Sequence, residues 1–165
     1  MTFTILEGNH HSNRFCYKLV NFFNFKRSLK YKVKFNCTGI YSLPEEDQMD
    51  INKLFGFSVG MHHTNSARFG WNCSGYKINL YSYCYINGKR ISTFLRSIDI
   101  DKEYQLELVD AKDKYIFTVI RNSSKLTYTV AKPEIKSSIS YNLWPYFGGN
   151  CPAPRNVDIQ LKKFN

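Results

Sequence analysis

Leu29-Lys-Tyr-Lys-Val-Lys-Phe-Asn-Cys37 puts an apolar side chain at every odd position and Lys30, Lys32, Lys34 and Asn36 between them. Successive side chains of an extended strand point to opposite faces, so this period of two describes a half-buried strand with a lysine row toward water. The same alternation returns at Tyr104, Leu106 and Leu108, at Tyr115, Phe117 and Val119, at Leu126, Tyr128 and Val130, and at Val157, Ile159 and Leu161. Turn formers separate the runs: Asn87-Gly88, Asp110-Ala-Lys-Asp113, Asn122-Ser-Ser124 and Gly148-Gly149-Asn150. Weaker runs at 3–6, 54–58, 67–71, 77–86, 91–95 and 143–147 bring the expected total to roughly ten or eleven strands. Many short strands and few helices predict an all-β antiparallel two-sheet sandwich, with residues 1–165 as a single domain. Pro44–Asp50 fits one helical turn or a loop, and the aromatics of 12–25 fit a strand pair better than a helix.

Composition agrees. The chain carries 13 Phe and 12 Tyr, whereas alanine stands only at Ala67, Ala111, Ala131 and Ala153. Aromatic side chains pack well on a pleated surface and alanine is the best helix former, so the balance favours strand. Hydrophobic residues make up 43% of the 165, which excludes global disorder, and no apolar stretch is long enough to cross a bilayer as a helix. The 23 Lys and Arg exceed the 13 Asp and Glu by ten, a surface that attracts polyanions or acidic partners. Within 1–43 seven basic residues face Glu7 alone. Five cysteines, Cys16, Cys37, Cys73, Cys84 and Cys151, form no CxxC pair, which speaks against a zinc knuckle or a dense disulfide framework and for reduced thiols. The amino terminus lacks the pattern of a secretory signal.

The passage richest in functional groups is Met61-His-His-Thr-Asn-Ser-Ala-Arg-Phe-Gly-Trp71. His62, His63, Asn65, Arg68 and Trp71 form a cluster suited to a sugar or a carboxylate, although adjacent histidines share one site only if their stretch is a loop. No acidic or cysteine partner stands at metal-ligand spacing, so neither metal nor other cofactor is expected. On the next strand Ile78, Leu80, Ser82, Cys84 and Ile86 share a core-like face. Tyr81, Tyr83 and Tyr85 share the other with Lys77, Asn79 and Asn87, a row able to stack on a sugar or a protein partner. The absence of an RNP-like motif, zinc finger or recognition helix argues against nucleic acid. No paired carboxylates, nucleophile elbow or phosphate-cradling loop assembles a catalytic set. The residue types of a polysaccharide lyase are nonetheless present: a His or Tyr base, with Arg or Asn to neutralise a uronate, in His63, Arg68, Asn65 and Tyr83.

Four strings, DINKLFGF (50–57), HHTNSARFGW (62–71), YCYINGKR (83–90) and WPYFGGNCPAP (144–154), resemble a group of small, mostly uncharacterised β-sandwich proteins of Bacteroidetes and their phages. The resemblance covers residues 30–164 and implies a jelly-roll, concanavalin-like fold without implying a reaction. The group's pattern often has an Asp before the glycine matched by Gly60 and a His after Ala153-Pro154, where this chain has Val59 and Arg155. Those departures weaken any metal or acid–base proposal built on the pattern.

These observations predict a non-enzymatic structural or interaction protein, a phage virion component such as an auxiliary capsid or fibre-associated protein, assembled in the host cytoplasm. Lys30, Lys32 and Lys34 would attract an acidic partner, and exposed aromatics would supply contact area. Expected partners are other virion proteins, further copies of the chain, or an anionic glycan. The second expectation is a carbohydrate-binding module using His62, His63, Asn65, Arg68, Trp71, Tyr81, Tyr83 and Tyr85. The third is a lyase acting on anionic glycan.

Overall fold

The structure, a computed structural model, describes residues 1–13, 27–135 and 140–165. Among them eleven strands form two antiparallel sheets packed face to face as a jelly-roll sandwich. In chain order the strands are β1 (Thr2–Ile5), β2 (Arg27–Phe35), β3 (Asn52–Ser58), β4 (Ser66–Ser74), β5 (Lys77–Ile86), β6 (Lys89–Asp99), β7 (Tyr104–Asp110), β8 (Lys114–Arg121), β9 (Ser124–Ala131), β10 (Asn142–Leu143) and β11 (Val157–Lys163). One sheet runs β1-β11-β2-β7-β8-β9 and the other β10-β3-β4-β5-β6. The helical turn expected after Pro44 is present as α1 (Glu45–Gln48). The strand pair expected over 12–25 falls almost wholly outside the described residues.

The six-stranded sheet follows the sequence period. Tyr31, Val33 and Phe35 of β2 point inward and are buried, as are Tyr104, Leu106 and Leu108 of β7 and Val157, Ile159 and Leu161 of β11. The lysine row lies on the outer face, where acidic neighbours offset it. Lys32 Nζ is 3.1 Å from Glu103 and Lys34 Nζ 3.7 Å from Asp101, while Lys30 stands opposite Glu107 in the β2–β7 register. Half-exposed ion pairs of this kind add little to stability but reduce the field the row presents.

The five-stranded sheet departs from a simple in-and-out pattern. Every residue of β4 from Ser66 to Cys73 is buried, so both of its faces are covered. Ala67, Phe69, Trp71 and Cys73 face the core. Phe69 meets Phe117 of the opposite sheet at 5.1 Å between ring centroids. Trp71 is fully buried among Phe35, Tyr41 and Phe147, at centroid separations of 5.0, 5.8 and 6.2 Å. This corrects the expectation that Trp71 contacts a ligand: in the strand pattern it belongs to the apolar set, and burying its large ring against the other sheet is where that set gains most.

The opposite face of this sheet is a recess whose rows can be read from the register. Arg68 stands beside Gly56 of β3 and Tyr83 of β5, and Tyr83 beside Ser92 of β6. The Asn87-Gly88 turn, with φ of 50° and 80°, supplies the left-handed pair that a tight two-residue hairpin needs between β5 and β6. The run expected as a strand over 143–147 pairs only at Asn142 and Leu143, because Pro145 cannot donate to the ladder. Tyr146 nevertheless returns to β3 through reciprocal backbone bonds with Lys53, at 2.8 and 2.9 Å. That segment becomes one wall of the recess.

Candidate functional site

The recess is a groove of about 520 Å³ across the outer face of β3, β4 and β5. Arg68 forms its floor, the tyrosines Tyr83 and Tyr85 one side, and Tyr146 and Trp144 the other. His62 and His63 close one end. None of the described residues that line the groove is acidic.

Arg68 is 7% exposed, and its Nε has no hydrogen-bond partner among the described residues. None of the ion pairs among the described residues includes it. Desolvation depresses its pKa, while the phenols of Tyr83, Tyr141, Tyr85 and Tyr146 around it pull the other way. A guanidinium keeps its proton under any such shift, so the groove floor carries a buried cation without a carboxylate among the described residues.

Lys53 is the second cation. It enters from β3 at a bulge between Lys53 and Phe55 that turns Leu54 and Phe55 together into the core. Its Nζ lies 5.0 Å from the Tyr83 ring centre and 5.7 Å from that of Tyr146, a cation held between two aromatic faces. Burial first, then the neighbouring Arg68, lowers its pKa to about 8. Gly148 and Gly149 pass against this corner: a Cβ on Gly148 would stand 2.8 Å from the Ile51 carbonyl oxygen, so the wall approaches this closely only without a side chain there.

His62 and His63 lie on the turn between β3 and β4, not on a strand, and this lets both face the groove. Their ring centroids are 4.3 Å apart. His62 Nδ1 is 2.6 Å from the Tyr141 hydroxyl, and His63 meets the Tyr85 ring edge-on at 5.4 Å. Burial, then Arg68 and His63, lowers the pKa of His62 to about 4, so its imidazole is neutral at pH 7.

The fold thus unites His62, His63, Arg68, Tyr83 and Tyr85 in one groove and places the other candidates elsewhere. Asn65 is corrected to a structural role: it is buried below the turn, where its Oδ1 accepts from the Asn87 amide at 2.9 Å and its backbone carbonyl accepts from Val59. That clamp ties the histidine turn to the β5–β6 hairpin. Tyr81 lies on the groove face but one step outside it, edge-on to Phe94 at 5.8 Å. Lys30, Lys32 and Lys34 are on the other sheet and contribute nothing to the groove. Sequence reasoning missed Lys53, Tyr146 and Trp144; His11, which the sequence offers with His10 as a second histidine pair in the context Asn9-His-His-Ser12, also lines the groove, its ring edge-on to Tyr146 at 4.9 Å. A lysine within the otherwise apolar Leu54–Phe57 context was the available signal for Lys53.

No family model matches the chain, and no curated protein matches it. Solved structures do. The alginate lyase from Klebsiella pneumoniae is 10% identical with a TM-score of 0.65, the match covering 83% of this chain and 59% of that one. Alginate lyase AlyC3 is 11% identical with a TM-score of 0.62, covering 99% and 74%. The CBM2 module of the evolved Dit protein of Lactobacillus casei BL23 phage J-1 is 10% identical with a TM-score of 0.52, covering 98% and 74%. At these identities the likeness is one of fold: the chain shares the jelly-roll of lyases and carbohydrate-binding modules and spans 59% of the Klebsiella enzyme's length.

Proposed function

We propose that the groove binds an acidic polysaccharide, with a sugar carboxylate seated on Arg68. The observation that carries this is the buried guanidinium without a carboxylate partner among the described residues. Taking such a charge from water costs several kcal/mol, about as much as a typical domain can lose, and a bound anion offsets that cost. Guanidinium is the group best shaped for bidentate contact with a carboxylate. Lys53 adds a second positive charge, and Tyr83, Tyr85 and Tyr146 offer flat rings and hydroxyls suited to a pyranose. The test is calorimetric titration with alginate-derived oligouronates. Saturable binding that weakens with salt and disappears in Arg68→Gln supports the reading, and a wild-type chain that binds none of them overturns it. The virion setting is compatible with this function, the glycan then belonging to a host surface.

A second reading, cleavage of the bound glycan by β-elimination, is favoured by the neutral His62 and by His63 beside Tyr85. Arg68 would neutralise the uronate carboxylate. A histidine would take the C5 proton, the C–H electrons would form the C4–C5 double bond, and the C4–O4 bond would break with a tyrosine protonating the leaving oxygen. Ultraviolet absorbance of an unsaturated product, lost in His63→Ala, is the result expected. Binding without such a product leaves the chain a binding module.

A further inference from the structure

The groove does not stop at Tyr83. A smaller hollow of about 140 Å³ adjoins it and shares Lys53, Tyr83 and Gly149 with it. Arg90 and Ser92 of β6 and Met49 bound its far side. Asp50 also lines it and offsets one of its two cations. Two residues beyond Ser92, on the same face of β6, Phe94 leaves 53% of its surface in solvent with Tyr81 beside it. Among the described residues β6 is the sheet's edge, and no further strand of the sheet among them lies beyond it on this side.

Single exposed aromatic residues are ordinary, but here the exposed ring shares one face with an exposed guanidinium and continues the floor of a recess already lined by cations and phenols. Resting on the glycan reading above, we propose that Arg90, Ser92 and Phe94, with Tyr81, form a second sugar subsite for the residue next to the one held over Arg68. Arg90 and Ser92 bond its carboxylate or hydroxyls, and Phe94 stacks on the ring. Arg68 on β4 and Ser92 on β6 are separated by two strand spacings, about 10 Å. One sugar ring does not span that distance, so the surface is built for an oligosaccharide, not for a terminal monosaccharide. The register supports a continuous track, because Arg68, Tyr83 and Ser92 form one transverse row across β4, β5 and β6.

Calorimetry with a single uronate sugar and with an alginate-derived oligouronate of six sugars tests this in the full chain. Both side chains are exposed, so an Arg90→Gln/Phe94→Ala double variant should keep the wild-type melting temperature. It is expected to lose about tenfold in affinity for the hexamer and to bind the single sugar as wild type does. Arg68→Gln should lose both ligands. If the wild type binds both lengths and the double variant is indistinguishable from it, the second subsite is refuted while the groove reading stands. If the double variant weakens both ligands equally, the residues act on the first site and the proposal also fails. A wild type that binds neither ligand overturns both.

Discussion

Replacing Arg68 by methionine should make the protein more stable while destroying its binding. The side chain is 7% exposed and without a carboxylate partner among the described residues. Each buried ion carries a penalty of several kcal/mol even after relaxation, and the surrounding tyrosine rings and hydroxyls return only part of it. Methionine keeps an unbranched stem along the same path and removes the charge. The net gain expected is about 1–3 kcal/mol. For a chain of this size each kcal/mol moves the melting temperature by about 2–4 °C, so Arg68→Met should melt roughly 2–12 °C higher than wild type. Differential scanning calorimetry at pH 7 reads this directly, with circular dichroism confirming an unchanged strand signal. A fall of comparable size would show the guanidinium to be a strut for Tyr83, Tyr85, Tyr141 and Tyr146, and the argument that a ligand explains its presence would collapse.

Trp71→Ala should cost about 3–5 kcal/mol and lower the melting temperature accordingly, since its ring is packed among Phe35, Tyr41 and Phe147; a variant that folds normally and loses only binding would return Trp71 to the ligand surface. Lys53 loses its proton near pH 8 in the folded chain against 10.5 in the unfolded one. The penalty for its buried charge is therefore present below about pH 8 and relieved above it, so stability rises with pH between these values. Anion binding runs the other way, weakening as pH passes 8. Lys53→Met should flatten both profiles in denaturant and titration series, and unchanged profiles would exclude Lys53 as their source. Replacing Lys30, Lys32 and Lys34 with glutamine should leave oligouronate affinity within about threefold at 0.15 M salt, where charges more than about 8 Å away are screened; a larger loss in the same titration would move the binding surface to the outer sheet.

The strands most legible in the sequence were those with one wet face. Leu29–Cys37 announced β2 because every second residue is lysine or asparagine, and β7, β8 and β11 followed the same rule. The tyrosine row of β5 was legible for the same reason. What could not be read is where a strand is covered on both sides: in β4 Arg68, Gly70 and Asn72 alternate with Ala67, Phe69, Trp71 and Cys73 as a half-wet strand would, yet both sets are buried because the groove lies over one face and the core over the other. Trp71 and Arg68 are three residues apart in one rich string, yet they point to opposite sides of the sheet, and residue type alone does not separate them. Lys53 and Tyr146 are 93 positions apart and meet only through the backbone pairing beside Pro145, a contact that no local pattern encodes. His62 and His63 share a site because Asn65 holds their turn in place, and side-chain bonds of that kind leave no periodic trace.

The most direct test of the central claim is a magnetic-resonance titration of the wild-type chain with an alginate-derived hexamer, following the Arg68 side-chain Nε–H signal. The expected result is a saturable shift of that signal, accompanied by amides of β3, β4 and β5 around Lys53, Arg68 and Tyr83. Shifts confined to the Lys30–Lys34 strand, with the Arg68 signal unmoved at saturation, would contradict the account.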